Sequence, residues 1–228
     1  MNKWPRFLCT GDLGLLVEFG DKIDLEIHQK IRKFFIILDR TPLEGVIEVV
    51  PAYRSILIIY DPLKTSMERL QKEILSIEER LEEVKVPTPE TLEIPVVYGG
   101  DYGPELDFVA QHNRLTPEEV IEIHTSGTYL VYTLGPSGFP MLGGLSKKIF
   151  TPRLKTPRTL VPAGSVGIAN DQTGVYTVDS PGGWQLIGRT PIKLFNPNKE
   201  DPFLIKMGNF IKFKKITEAE YKEMLQRS

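Results

Sequence analysis

A single cysteine, Cys9, and only three histidines leave this chain little material for covalent or metal staples. One thiol cannot form an internal disulfide. His28, His112 and His124 are not paired in sequence with one another or with Cys9, so no dedicated metal site is expected. Long apolar runs are missing as well. The strongest, residues 56–60, is strand-length, far below the roughly 20 residues that span a bilayer. No apolar signal core follows the opening Met1-Asn2-Lys3-Trp4-Pro5-Arg6, and a cytoplasmic location is expected. The formal net charge of −2 supplies no global field for phosphate backbones or anionic lipid, which argues against nucleic-acid and membrane partners. There is no Walker phosphate loop, no complete Gly-x-Gly-x-x-Gly after a strand, no Gly-x-Ser-x-Gly elbow and no internal repeat.

What remains is an ordinary folding composition, 41% apolar and 25% charged, in 228 residues. That length favours two compact units over one. Residues 7–19 read as two strands joined at Gly11-Asp12 and Gly14. Ile23, Ile27, Ile31, Phe34 and Leu38 then share one helical face, ended by Thr41-Pro42. Residues 45–51 and 55–60 read as a hairpin. Thr65 with Glu68 predicts a capping box for a helix striped by Met67, Leu70, Ile74, Ile77 and Leu81. The result is a ββαββα unit with helices on one face of an antiparallel sheet.

Val86-Pro87-Thr88-Pro89 removes two amide donors and stiffens the backbone, so the boundary is expected there, between residues 1–86 and 87–228. Beyond it, residues 91–97 read as a strand, and Thr116-Pro117-Glu118-Glu119 opens a short helix ending near His124. Short strands at 129–134, 165–170, 174–179, 184–189 and 207–213, broken by Gly- and Pro-rich turns, predict a β-barrel. Thr217 with Glu220 caps a last helix bearing Tyr221 and Leu225. The fold class is α+β.

The chemistry-bearing loops lie between His124 and Arg189. Gly135 to Pro140 and Gly143-Gly144 admit close backbone approach, or simply turn the chain. Thr151 to Arg158 places Arg153, Lys155 and Arg158 between prolines, either as guanidinium forks for an anion or as a solvated basic loop. Gly182-Gly183-Trp184 sets a backbone wall and a ring where a flat ligand could lie, or buries a core Trp behind a tight turn. His124 falls at a helix C-terminus, where the dipole favours its protonated form and suits it to acid-base work, although a structural histidine fits the same position.

Taken together, Gly11-Asp12-x-x-Leu15-Leu16-Val17-Glu18-Phe19, Pro51-x-Tyr53-Arg54-Ser55, Tyr60-Asp61-Pro62, Ile94-Pro95-Val96-x-Tyr98-Gly99-Gly100 and Gly103-Pro104-x-Leu106 resemble a known family. So do Gly138-Phe139-Pro140-x-Leu142-Gly143-Gly144, Pro152-Arg153, Pro157-Arg158, Pro162 to Ala169, Ser180 to Trp184 and Gly188-Arg189-Thr190-Pro191. It is the family of allophanate hydrolase subunit 1, Kip-type inhibitors and 5-oxoprolinase B subunits, related to carboxyltransferase domains. The chain departs from its pattern at Leu134-Gly135-Pro136-Ser137, at Met141 where Tyr is common, and at Gly208-Asn209 in place of Gly-Asp.

The resemblance implies a small α+β domain followed by a cyclophilin-like β-barrel. It implies a subunit that opens 5-oxoproline to glutamate only with partners: a cyclophilin-like C-type subunit, then an A-type subunit. ATP would be bound with those partners, and no metal site or biotin attachment is expected in this chain. On this reading His124, Arg158 and Arg189 are catalytic, while Phe139, Arg153, Gly164, Ser165, Gly182, Gly183 and Trp184 bind a small-molecule anion. Two other readings follow from the same resemblance: a module inhibiting a histidine kinase, and a carboxyltransferase-like amide- or urea-processing subunit.

Overall fold

The computed structural model describes residues 4–227; Met1-Asn2-Lys3 and Ser228 lie outside the description. The chain divides into two compact units, Met1–Thr88 and Pro89–Ser228. In the first, strands β1 (Arg6–Thr10) and β2 (Gly14–Glu18), helix α1 (Leu25–Arg40), strands β3 (Val46–Pro51) and β4 (Ser55–Tyr60) and helix α2 (Met67–Glu79) follow in that order. The sheet runs β1-β2-β4-β3, antiparallel throughout. Alternate residues Leu15, Val17, Ile56, Ile58 and Tyr60 are buried in one core with Ile31, Phe34, Leu38, Leu70, Ile74 and Ile77 of the helices. Each such side chain contributes roughly 1.5–3 kcal/mol by leaving water.

Two local expectations fail here. Ile23 precedes α1 and stays 53% exposed, because Asp24 supplies the cap by accepting the Glu26 N–H at 2.9 Å. Thr65 does not cap α2. Its side chain is buried, and its methyl lies 2.8 Å from where a Cβ on Gly45 would stand. The cap passes to Ser66, whose hydroxyl accepts from the Arg69 N–H, and Glu68 then falls one residue short of the reciprocal position.

The second unit contains β5 (Thr91–Tyr98), α3 (Leu106–Asn113), α4 (Pro117–Ser126), β6 (Tyr129–Leu134), β7 (Pro140–Gly143), β8 (Arg158–Val161), β9 (Ser165–Ala169), β10 (Gln172–Val175), β11 (Ser180–Gly182), β12 (Gln185–Arg189), β13 (Phe210–Lys215) and α5 (Glu218–Gln226). Seven strands form one sheet in the order β10-β9-β12-β5-β13-β6-β7, and its outer strands β10 and β7 come against each other. The sheet is therefore a nearly closed barrel. Only β5 and β13 run parallel; β8 and β11 form a separate pair. Ile94, Val96, Val131, Val166, Ile187 and Ile211 fill its core with Val109 and Val120 of α3 and α4.

Sequence and structure agree on both capping boxes of this unit: Thr116 with Glu119 and Thr217 with Glu220 exchange bonds of 2.7 and 3.2 Å. On α5, Tyr221 is buried but Leu225 is 48% exposed. Other boundaries shift for local reasons. Asn170, at φ 54°, makes the tight turn that starts β10 at Gln172, and Gly208, at φ 84°, delays β13 to Phe210. Helix α3 was not expected, since its N-cap Glu105 makes no side-chain capping bond. Gly103 is there for another reason: a Cβ on it would stand 2.1 Å from the Ile187 backbone.

Replacing Thr116 by Ala should destabilise the second unit by about 1 kcal/mol, read as a lowered denaturant midpoint at unchanged m-value.

Candidate functional site

Four chain segments meet around one open cleft of about 380 Å³ in the second unit. The turn before β7 carries Phe139, the residues after β10 carry Tyr176 to Val178, β11 and the Gly183-Trp184 step into β12 form a third side, and Arg153 closes the fourth. The Phe139 ring stands edge-on to both Tyr176 and Trp184, with centroids 5.2 Å away in each case. Such packing needs glycine behind it. A Cβ on Gly174 would sit 2.8 Å from the Phe139 ring, and one on Gly182 would sit 2.1 Å from the Tyr176 hydroxyl. Thr177 ties the turn down by donating to the Ser137 carbonyl at 2.7 Å.

Arg153 is exposed, and its guanidinium lies 5.7 Å from the centre of the Trp184 ring, a cation-π separation. The amide of neighbouring Leu154 donates to the Gly183 carbonyl at 2.8 Å, which fixes the loop on the Trp184 wall. Among the described residues Arg153 has no ion pair, and no Asp or Glu lines the cleft. Burial raises the Tyr176 phenol above its ordinary range, against the opposing pull of a Trp184 backbone bond and of Arg153 and Arg158. The cleft thus combines flat apolar walls, a hydroxyl that stays protonated and one uncompensated cation. It can seat a planar ring carrying a negative charge.

Of the residues singled out in the sequence, Phe139, Arg153, Gly182, Gly183 and Trp184 line this cleft, and five others do not. Arg158 is ion-paired to Glu105 and also donates to the Trp184 carbonyl at 3.2 Å. Arg189 turns back to its own framework, its Nε–H donating to Ala163 O at 3.0 Å. The amides of Gly164 and Ser165, two of the residues implied to bind an anion, are already used: Gly164 N–H donates to Tyr176 O at 2.7 Å and Ser165 N–H to Pro162 O at 3.2 Å. Those bonds hold the cleft's frame.

His124 departs furthest from the acid-base expectation. It is fully buried on α4, stacked on Phe213 at 4.5 Å, and burial lowers its pKa to about 3. Desolvation outweighs the helix dipole, so the imidazole is neutral. Because Thr173 Oγ1 donates to Gly167 O, it accepts from His124 Nε2–H at 2.8 Å; Nδ1 then accepts the Tyr98 hydroxyl at 2.8 Å. Both ring nitrogens are satisfied inside the barrel, and the Tyr129 hydroxyl donates to the His124 carbonyl. The residue is a strut.

Tyr176, Thr177 and Glu105 escaped the sequence reading. Tyr176 falls within the strand expected at 174–179, where it reads like any core aromatic, although β10 ends at Val175, and Glu105 lies 53 positions from its partner Arg158, so no local pattern marks either. Among the described residues there is no group of three or more His, Cys, Asp or Glu able to hold a metal ion, and no helix is long and apolar enough to cross a membrane.

The nearly closed barrel agrees with what comparison with known proteins finds. A family model described as "Carboxyltransferase domain, subdomain C and D" matches residues 5–205, and the chain belongs to that family. It is 42% identical to the 5-oxoprolinase B subunit of Bacillus subtilis over 225 residues, covering 92% of each chain. It is 39% identical to the 5-oxoprolinase B subunit of Escherichia coli O157:H7, covering 91% of this chain and 94% of that one. Among solved structures, TTHA0988 is 33% identical with a TM-score of 0.78; the match covers 90% of this chain and 40% of that one. The conserved uncharacterized protein PH0987 from Pyrococcus horikoshii is 46% identical with a TM-score of 0.57, covering 95% and 100%.

Neutral His124 gives a pH signature. Its folded pKa lies below the ordinary 6.5, so its contribution is complete above pH 6.5 and is lost as pH falls toward 3, where the unfolded chain takes up the proton first. His28, lowered by burial to about 4, acts in the same direction in the first unit. Unfolding measured from pH 7 to pH 4 should show stability dropping more steeply in the native chain than in His124→Gln. Gly182→Ala should displace Tyr176 and weaken any cleft ligand at least several-fold while leaving far-ultraviolet circular dichroism unchanged.

Proposed function

We propose that this chain is the B subunit of an ATP-dependent 5-oxoprolinase, opening 5-oxoproline to glutamate together with A- and C-type subunits. The observation that carries this is the match to 5-oxoprolinase B subunits along more than nine-tenths of both chains. The cleft supports it independently, because 5-oxoproline is a flat five-membered lactam bearing one carboxylate. Phe139, Trp184 and the Gly182-Gly183 backbone hold the ring, and Arg153 takes the carboxylate.

A lactam is a poor electrophile, so its carbonyl oxygen is activated by phosphoryl transfer from ATP before water opens the C–N bond. ATP is held with the partner subunits. Arg158, Arg189, Gly164 and Ser165 keep the walls in place, and His124 fixes the barrel behind them. The second unit is a cyclophilin-like domain, the boundary falls within the Val86-Pro87-Thr88-Pro89 segment, the C-type partner is cyclophilin-like as well, and the assembly works in the cytoplasm.

Reconstitution with the cognate A- and C-type subunits should give 5-oxoproline-dependent ATP hydrolysis. Arg153→Ala should raise KM for 5-oxoproline by roughly 10-fold or more, the loss of one charge-assisted contact. An inactive reconstituted complex, or a KM unmoved by that substitution, would sink the assignment.

A further inference from the structure

Between Glu122 and Asp171 the chain has no acidic residue, yet this stretch carries Lys147, Lys148, Arg153, Lys155 and Arg158 and supplies two sides of the cleft. Left to itself it would present two guanidiniums near one aromatic wall, a setting for a dianion. Glu105 changes that. From the N-cap of α3, one carboxylate oxygen takes Arg158 as an ion pair and the other accepts the Leu186 N–H at 2.9 Å. The Glu105 amide also donates to Leu186 O at 2.9 Å, so both its backbone and its side chain are fixed on β12. Arg158 in turn holds the Trp184 carbonyl. Both partners are mostly buried, with side chains 17% and 26% exposed, so solvent does little to loosen them. Asp179, flanked by lining residues, has its carboxylate on the Ala163 N–H at 2.7 Å.

We propose that Glu105 sets the charge specificity of the cleft: by neutralising Arg158 and binding it to the Trp184 wall, it leaves Arg153 as the one uncompensated lining cation among the described residues and selects a monoanionic carboxylate over dianions. Glu105 is a positioning residue, acting through Arg158, and touches no ligand itself. A consequence is that nucleotide and phosphate charge are handled outside this cleft. The inference rests on the cleft being the anion site of the proposed function, but not on the reaction that follows binding. The physical basis is that a second unit charge several ångströms away favours a dianion over a monoanion by one extra charge-charge interaction.

The test uses the full chain with Trp4→Phe, so that Trp184 is the only fluorophore of its kind, titrated at pH 7.5 and low salt with 5-oxoproline as monoanion and malonate as dianion. The native chain should prefer 5-oxoproline. Glu105→Gln, which frees Arg158, should move the ratio of the two Kd values toward malonate by roughly 10-fold, and adding Arg158→Gln should restore it. Arg158→Gln alone uncovers the Glu105 carboxylate and should move the ratio the other way, an opposition that general loosening of the fold cannot produce; this variant decides the matter if Glu105→Gln does not fold. Equal changes in both Kd values, shifts of the same sign in the two single variants, or no binding of either anion to the native chain would overturn the proposal. A shifted ratio beside an inactive reconstituted complex would uphold it and count only against the oxoprolinase reading.

Discussion

The second unit's site depends on how close backbone can come to backbone and ring to ring. Gly103 lets the chain entering α3 lie on β12, Gly174 lets Phe139 and Trp184 meet over β10, and Gly182 lets the Tyr176 hydroxyl reach the β11 backbone. A methyl group at any of the three would fall within 3 Å of an existing atom, closer than packed atoms stand. Once these approaches are allowed, Glu105 reaches Leu186 and Arg158, and the Trp184 wall is set. The cleft is therefore built by the omission of side chains as much as by their presence.

Around this frame the polar groups divide into two kinds. Those inside the barrel are consumed by structure: His124 spends both ring nitrogens on Tyr98 and Thr173, and the Gly164 and Ser165 amides are already bonded. A buried group with all its partners present costs little to keep and offers nothing to a ligand. Those at the cleft differ. Arg153 faces solvent over the Trp184 ring, and among the described residues no Asp or Glu lines the cleft with it. Family resemblance implied Arg158 and Arg189 as catalytic and Arg153 as anion-binding; the structure gives the three different partners, and only Arg153 lines the cleft.

Much of the fold was legible because its signals are local. The ββαββα order follows from period-two and period-3.6 apolar patterns whose residues are buried where the pattern puts them, Leu15 and Val17 on β2, Phe34 and Leu38 on α1. Both capping boxes of the second unit also formed, since each needs only two side chains three residues apart. The Thr65 box failed although it satisfies the same rule, because the Gly45 turn claimed that side chain for packing. Helix α3 was invisible for the converse reason, its start being held by contacts to β12 and not by a capping residue of its own.

Local pattern in the chain was enough for most of the elements, the α+β class, the chemistry-bearing loops and, through Phe139, Arg153, Gly182, Gly183 and Trp184, much of one wall of the cleft. Which charges that wall presents was settled by the three-dimensional arrangement. Sequence records that Arg153 and Arg158 are both cations in a proline-flanked loop. Charge at a site depends on distance through space, and the carboxylate that cancels Arg158 arrives from 53 residues away on a helix whose position is fixed by the barrel.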